Sequence, residues 1–201
     1  MPRVIFHVDV NSAFLSWSAA YRVRVLGEQE DLRDIPSAVA GERAERHGII
    51  LAKNEAAKAF GVKTAETIWQ ARRKCPDLIL LPAHHDKYRY YSKLAGEVYT
   101  RYTDLVEPFS IDESWLDVTG TLHLFGGDPV ALANQLRDVM KQELGLTISV
   151  GVSFNKVFAK LGSDYKKPDA TTVIWREDVP RLVWPLPVTD LLFVGRASAR
   201  V

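Results

Sequence analysis

Two acids, Asp112 and Glu113, stand side by side in the middle of FSIDESWLDVT, an otherwise apolar, β-branched and aromatic run at residues 109–119. Neighbouring side chains on a strand point to opposite faces, and on a helix they diverge by about 100°. Regular structure therefore cannot aim both acids at one partner, whereas a bend can. The run reads as two short strands, 105–111 and 115–119, with both acids at the bend and Gly120 closing the second strand. Burying a carboxylate is costly unless it is paired or metal-bound. The pair taken alone leaves two readings open, a cation site and a solvated hairpin tip.

The surrounding pattern narrows the choice. Residues 4–10 form a short apolar run with Asp9 near its end, and Asn11 or Ser12 can cap a helix reaching about Val25, ended by Gly27. After a polar loop at 28–37, strands are expected at 37–40 and 47–52, a short helix at 55–60 stopped by Gly61, and a second helix at 67–74 ended by Cys75-Pro76. A strand at 78–81 and a long tyrosine-rich helix at 86–103 lead into the acidic hairpin. Beyond it come a helix at 129–144, a β-branched strand at 146–152, a helix at 155–163 and a last short strand at Val173-Ile174. Setting aside residues 25–80 leaves β-α-β-β-α-β, the ferredoxin-like arrangement of an antiparallel sheet with helices on one face. In that fold the end of the first strand can neighbour the central hairpin, so Asp9 can join Asp112 and Glu113.

The chain has 201 residues, enough to bury a core, and its 47% hydrophobic and 25% charged content suits a soluble globular protein. The start, MPRVIFHVDV, enters a strand at once without a secretory leader, and no apolar run reaches membrane-span length. The single Cys75 cannot form an internal disulfide, and no Cys/His cluster has zinc spacing, so a cytoplasmic setting is expected. A net charge of +1 neither requires nor excludes nucleic acid, but Lys53, Lys58, Lys63, Arg72, Arg73 and Lys74 make one stretch locally basic.

Four segments in order carry a resemblance: FHVDVNSAFLSW, LAKNEAAKAFGVKTAETI, SIDESWLDVTG and SVGVSFNKVFAKLGSDYKKPD. Together they resemble the Y-family, or translesion, DNA polymerases over nearly the whole chain. The resemblance implies an α+β fold, a polymerase palm with an inserted small fingers domain and a truncated thumb. Its divisions here would be palm 1–24 and 81–174, fingers 25–80, and the start of a thumb at 175–201. It also implies transfer of deoxynucleotides to a primer 3′-hydroxyl with two Mg2+ ions, Mn2+ being able to substitute. Asp9, Asp112 and Glu113 would be the catalytic metal ligands, joined by the backbone carbonyl of Val10.

For the nucleotide, the resemblance implies backbone contacts at Asn11, Ser12 and Ala13, a steric gate at Phe14, and phosphate contacts from Lys58 and Lys167. Lys156 and Lys160, one helical turn apart, are candidates for the DNA backbone or for plain solvation. The implied partners are primer-template DNA, deoxynucleoside triphosphates and, through missing C-terminal regions, a sliding clamp, with no membrane. Asn11 stands where many members carry a second acid, and Glu55 where many carry a phosphate-binding tyrosine. The tail LLFVGRASARV resembles the beginning of a thumb, so the chain is expected to be a catalytic-core fragment with weak extension. Two other readings compete: a nucleotidyl cyclase-like palm enzyme, echoed by Phe125-Gly126-Gly127-Asp128, and a non-catalytic nucleotide- or DNA-binding palm module. Because Pro129 follows, a turn plus helix cap is the expected role of that echo.

Overall fold

The structure, a computed structural model, describes residues 2–41, 48–195 and 197–200. In chain order the main elements are β1 (Ile5–Val10), α1 (Ala13–Arg24), β2 (Ser37–Ala40), β3 (Ile50–Lys53), α2 (Glu55–Ala59), α3 (Ile68–Lys74), β4 (Ile79–Pro82), α4 (His85–Tyr99), β5 (Val106–Pro108) and β6 (Glu113–Asp117). They continue with α5 (Pro129–Val139), β7 (Ile148–Ser153), α6 (Lys156–Tyr165), β8 (Thr171–Ile174) and α7 (Val179–Leu182). The chain divides into two compact units, residues 1–11 with 94–201, and residues 12–93.

The larger unit holds a five-stranded sheet in the order β5-β6-β1-β7-β8. Its first four strands are mutually antiparallel in the ferredoxin-like order, and β8 extends them as a parallel edge beside β7. A parallel neighbour needs a crossover, and α6 supplies it. All six residues of β1 and all six of β7 are buried, so both faces of the central strands are covered. α6 covers the face that carries Ile5 and His7, with Ile5, Trp115 and Ala159 clustered beneath it. Alternation sends Phe6, Val8, Val10, Val150 and Val152 to the opposite face, where β1 and β7 contribute apolar side chains alone.

One contact fixes how closely α6 lies on the sheet. A Cβ placed on Gly151 of β7 would come within 1.8 Å of the Ala159 carbonyl oxygen and 2.4 Å of the Ser163 amide nitrogen, and one on Gly162 of α6 would meet Gly151 Cα at 3.1 Å. Two facing glycines let helix and strand backbones touch, and no side chain fits between them.

α5 begins as its sequence dictates. Gly126 and Gly127 take positive φ of 84° and 77°, and Asp128 Oδ1 accepts hydrogen bonds from the amides of Val130 (2.8 Å) and Ala131 (3.3 Å). The FGGD stretch is thus a turn and N-cap with Pro129 in the first helical turn. The expected helix 129–144 is α5 plus a π-helical turn at Met140–Leu144, ended at Gly145. α4 stops four residues short of the expected 103, where Thr103 Oγ1 instead donates to the Asp117 carbonyl.

The smaller unit carries a three-stranded sheet, β3-β2-β4, with β2 and β3 antiparallel and β2 and β4 parallel. The expected strand at 47–52 appears as the shorter, later β3 at Ile50–Lys53, with Ile49 making an isolated bridge to Thr67, while His47 lies outside the described residues. Asn54 caps α2, accepting from the Ala57 amide at 2.8 Å, and Thr67 with Gln70 forms a capping box on α3. α1 packs on this sheet through Leu15 and Ala19, with Val39 and Leu81.

Candidate functional site

The register of β1 against β6 sets Asp9 directly opposite Glu113, so the two side chains share one face of the sheet. The hairpin that delivers Glu113 is tight: the amides of Phe109 and Ser110 both donate to the Glu113 carbonyl, at 2.9 and 3.2 Å. The acids were expected together at the bend, but Glu113 is the first residue of β6 and Asp112 alone occupies the bend. Asp112 stays beside the end of β1 because its carbonyl accepts from the Val10 amide at 3.0 Å. Its carboxylate is turned towards Ser110, whose hydroxyl lies 2.6 Å from Oδ1. Tyr99 is buried nearby, and its ionisation is suppressed first by burial and then by the negative fields of Asp9 and Asp112.

Two lysines supply positive charge at this corner. Lys167 Nζ lies 2.6 Å from Asp9 Oδ2 and 2.7 Å from Asp164 Oδ1. Lys160 Nζ lies 3.5 Å from Asp9 Oδ2 and 2.9 Å from Asp164 Oδ2, and forms a close ion pair with Glu113 Oε1. Burial opposes the charge on Lys160, yet the Glu113 and Asp164 carboxylates hold the ammonium well above the usual lysine range. Lys160 was expected to meet a DNA phosphate or water. In the structure its ammonium lies against the carboxylates of Glu113, Asp164 and Asp9.

His7 underpins the same corner. Ser163 Oγ donates to the Lys160 carbonyl at 2.8 Å, so its oxygen accepts from His7 Nδ1–H at 2.7 Å. That tautomer leaves Nε2 as a bare acceptor, buried, without a hydrogen-bond partner and 4.0 Å from Glu113 Oε1. Burial first, and then the Lys160 charge, push its pKa down to about 3, so the ring stays neutral.

Asp9 moves the other way. Burial, then its hydrogen bond with Glu113, raise its pKa to about 7 against the pull of Lys167 and Lys160. For Glu113 burial is outweighed by the Asp9 and Lys160 hydrogen bonds, which draw it below the ordinary range. Below about pH 7 the pair therefore takes up a proton, and Asp9 binds it in preference to Glu113. Between about 4 and about 7 the folded chain keeps a proton at Asp9 that the unfolded chain has lost, so this contribution to stability is complete below that window and is lost as pH rises through it. His7 contributes with the opposite sign, but equally in an Asp9 variant. We therefore expect the stability of the parent relative to Asp9→Asn, measured by urea unfolding, to decline between about pH 4 and pH 7. A difference that grows over that range would exclude the shared proton.

Among the described residues, no three His, Cys, Asp or Glu side chains converge on one point in a metal-holding arrangement. The chemistry of the donors nevertheless fits a hard divalent cation. Asp9, Glu113 and Asp112 offer only oxygen, the first two are crowded enough to share a proton, and ammonium groups already sit against them.

The remaining expected residues are placed as follows. Asn11 is buried, with Oδ1 accepting from Ser149 Oγ at 2.8 Å and Nδ2 donating to Thr147 Oγ1 at 3.2 Å, so its side chain ties β1 to β7. Ser12 takes a left-handed φ of 48° before α1, and Ala13 is buried. In the smaller unit Phe14 is half-buried and stacks on Tyr88, with ring centroids 4.6 Å apart and planes 9° apart. Lys58 is exposed there and pairs with Glu55 at 3.1 Å. Lys156 forms a close ion pair with Glu107 beside the Trp115 ring. His7, Asp164 and the charge-holding role of Lys160 were not read from the sequence. The available signals were a histidine inside an otherwise apolar run two residues before Asp9 and the Lys-x-x-x-Asp spacing on α6.

The model of the impB/mucB/samB family matches residues 8–164. A protein of Acetivibrio thermocellus named DNA polymerase IV is 50% identical over 200 residues, covering 100% of this chain and 48% of the relative. A Bacillus subtilis protein named DNA polymerase IV 1 is 41% identical, covering 98% of this chain and 45% of its own length. The chain thus spans about half the length of the curated relatives it matches. Among solved structures, DinB from Sulfolobus solfataricus superposes with a TM-score of 0.83 at 26% identity, over 98% of this chain and 55% of that one. A structure described as an insertion ternary complex of Dbh DNA polymerase gives 0.82 at 25% identity, over 98% and 56%.

Proposed function

The chain belongs to the impB/mucB/samB family of Y-family translesion polymerases, and from that premise we propose that its larger unit carries the nucleotidyl-transfer centre of a template-directed DNA polymerase. The observation that carries this reading is the cross-strand apposition of Asp9 and Glu113, with Asp112 bonded through its carbonyl to Val10. A palm at 1–24 and 81–174, fingers at 25–80 and the start of a thumb at 175–201 are assigned on the same ground.

Asp9, Asp112 and Glu113, with the Val10 carbonyl, would hold the divalent cations. When bound, these supply charge stabilisation to the attacking and leaving oxygens of an in-line displacement. The chain's own groups do the rest. Lys167 is partly exposed and can turn to the triphosphate, and Lys58 can do so once it leaves Glu55. The backbone amides at the start of α1, a helix of 12 residues, are assigned to phosphate contact because the N-terminal end of a helix dipole favours an anion. Asp9 must surrender its proton before it can serve as a ligand, so divalent-ion affinity is expected to fall as pH drops below about 7.

The reading is tested by incubating the chain with primer-template DNA, deoxynucleoside triphosphates and MgCl2. Primer-dependent incorporation supports it. A cyclic product from GTP alone, or Mg2+-dependent nucleotide binding without turnover, would replace it with a cyclase or a binding module.

Phe14 is assigned as the group that excludes a ribose 2′-hydroxyl. Its stacking on Tyr88 would hold the ring in place. Phe14→Ala is expected to raise ribonucleotide incorporation relative to deoxynucleotide by about 100-fold, equivalent to about 2.7 kcal/mol of discrimination. Unchanged sugar selectivity in that variant removes the assignment.

A further inference from the structure

Lys160 has more carboxylate contact than a structural ion pair requires. Only 14% of its side chain is exposed, and its ammonium touches Asp9, Glu113 and Asp164 at once. Asp164 is itself divided, giving Oδ2 to Lys160 at 2.9 Å and Oδ1 to Lys167 at 2.7 Å. Asp164 lies four residues after Lys160, so both sit on the same side of α6. Two ammonium groups therefore bridge the acids of the sheet to one acid of the helix.

We propose that Lys160 is a positioning residue that acts as a resident counter-cation: it occupies the Asp9–Glu113 pair when no divalent ion is bound, and falls back on Asp164 when one arrives. The inference rests on the metal-ligand reading of Asp9 and Glu113 given above.

Two buried or half-buried carboxylates facing each other need positive charge in both states of the site. Before the divalent ion arrives, Lys160 and Lys167 are the cations paired with them among the described residues. Once the ion takes the pair, an ammonium at the same oxygens would repel it, and the helical partner at 2.9 Å gives that ammonium a place to stay. The Ser163 hydroxyl, bonded to the Lys160 carbonyl and to His7, fastens this turn of α6 to β1, so the transfer needs only a side-chain movement.

An ion pair that merely stabilised the fold would lose stability on truncation without changing metal affinity. A resident counter-cation competes with the metal, and its two sets of partners predict effects of opposite sign. The 201-residue chain and its variants are titrated with MnCl2 alone, with free Mn2+ read by electron paramagnetic resonance and unfolding temperature read with and without the ion. Lys160→Met is expected to bind Mn2+ about tenfold more tightly than the parent, and to regain with Mn2+ the thermal stability it loses without it. Lys160→Arg keeps the charge and is expected to bind as the parent does. Asp164→Asn removes the fallback partner and is expected to bind several-fold more weakly.

Unchanged or weaker binding by Lys160→Met, or unchanged or tighter binding by Asp164→Asn, overturns the proposal. If Lys160→Met is insoluble without metal, purification in MnCl2 decides: recovery of folded protein supports the proposal and continued failure overturns it. Asp9→Asn separates the two levels of argument. Parent-like Mn2+ binding there removes the metal-ligand reading itself, whereas lost binding there with an unaltered Lys160→Met removes only the counter-cation.

Discussion

Asp112→Asn is expected to lower single-turnover deoxynucleotide incorporation by about three orders of magnitude, or about 4 kcal/mol of transition-state stabilisation, while leaving the fold intact. The substitution is close to isosteric. Ser110 Oγ can still donate to the retained oxygen, and the carbonyl that accepts from Val10 is untouched. The side chain is half-exposed in a bend, so the structural cost is small and only the negative charge is lost. The assay places the chain in excess over primer-template, so that a weak grip on DNA does not mask the chemistry. Retention of turnover within tenfold of the parent, at an unchanged unfolding midpoint, would remove Asp112 from the centre.

Gly151→Ala carries the largest expected effect on stability. A methyl at that position would lie 1.8 Å from the Ala159 oxygen, and that neighbour is helix backbone with no rotamer to give way. α6 must lift by more than 1 Å, opening its contacts with β1, β7 and β8, at a cost of about 3 kcal/mol or more. Because α6 carries Lys160 and Asp164, the shift would also disturb the charge network. Urea unfolding that finds the variant within about 1 kcal/mol of the parent would show that the close approach is not needed. Gly162→Ala meets Gly151 Cα at 3.1 Å and is expected to cost less.

What could be read from the sequence follows the range of the physics. β1, the acidic hairpin and the cap of α5 depend on neighbours in the chain: an apolar run with an acid near its end, a bend between two short apolar runs that holds Asp112 but not Glu113, and Gly-Gly-Asp-Pro before a helix. The antiparallel order of the first four strands followed from the βαββαβ pattern that remains once an insertion is set aside. β8 was seen only as its last two residues, because the parallel edge it forms is set by where α6 ends rather than by its own four residues.

The side-chain network was hidden for a different reason. Helical spacing sets Lys156 and Lys160 on one side of α6, but not what the sheet presents to each. One meets Glu107 on the edge strand, and the other meets Glu113 and Asp9 near the centre. Phosphate contact and plain solvation were the two roles open to lysines whose carboxylates come from distant strands. Gly151 and Gly162 also carried a signal that went unused. A glycine inside a β-branched strand and another inside the following helix mark a place where two backbones meet.

β1 pairs on one side with β6 and on the other with β7, both over a hundred residues later in the chain. A ribosome adding about 5–20 residues per second finishes β7 roughly 7–30 seconds after β1 has been made. Asp9 can gain its acidic partner earlier, once β6 has been made, but the two lysines of α6 and its trailing loop follow only after β7. Residues 12–93 can meanwhile close on themselves, since their contacts are mostly with one another. The centre therefore forms only after α6 has followed β7 out of the ribosome, and a divalent ion meets it only as a finished whole.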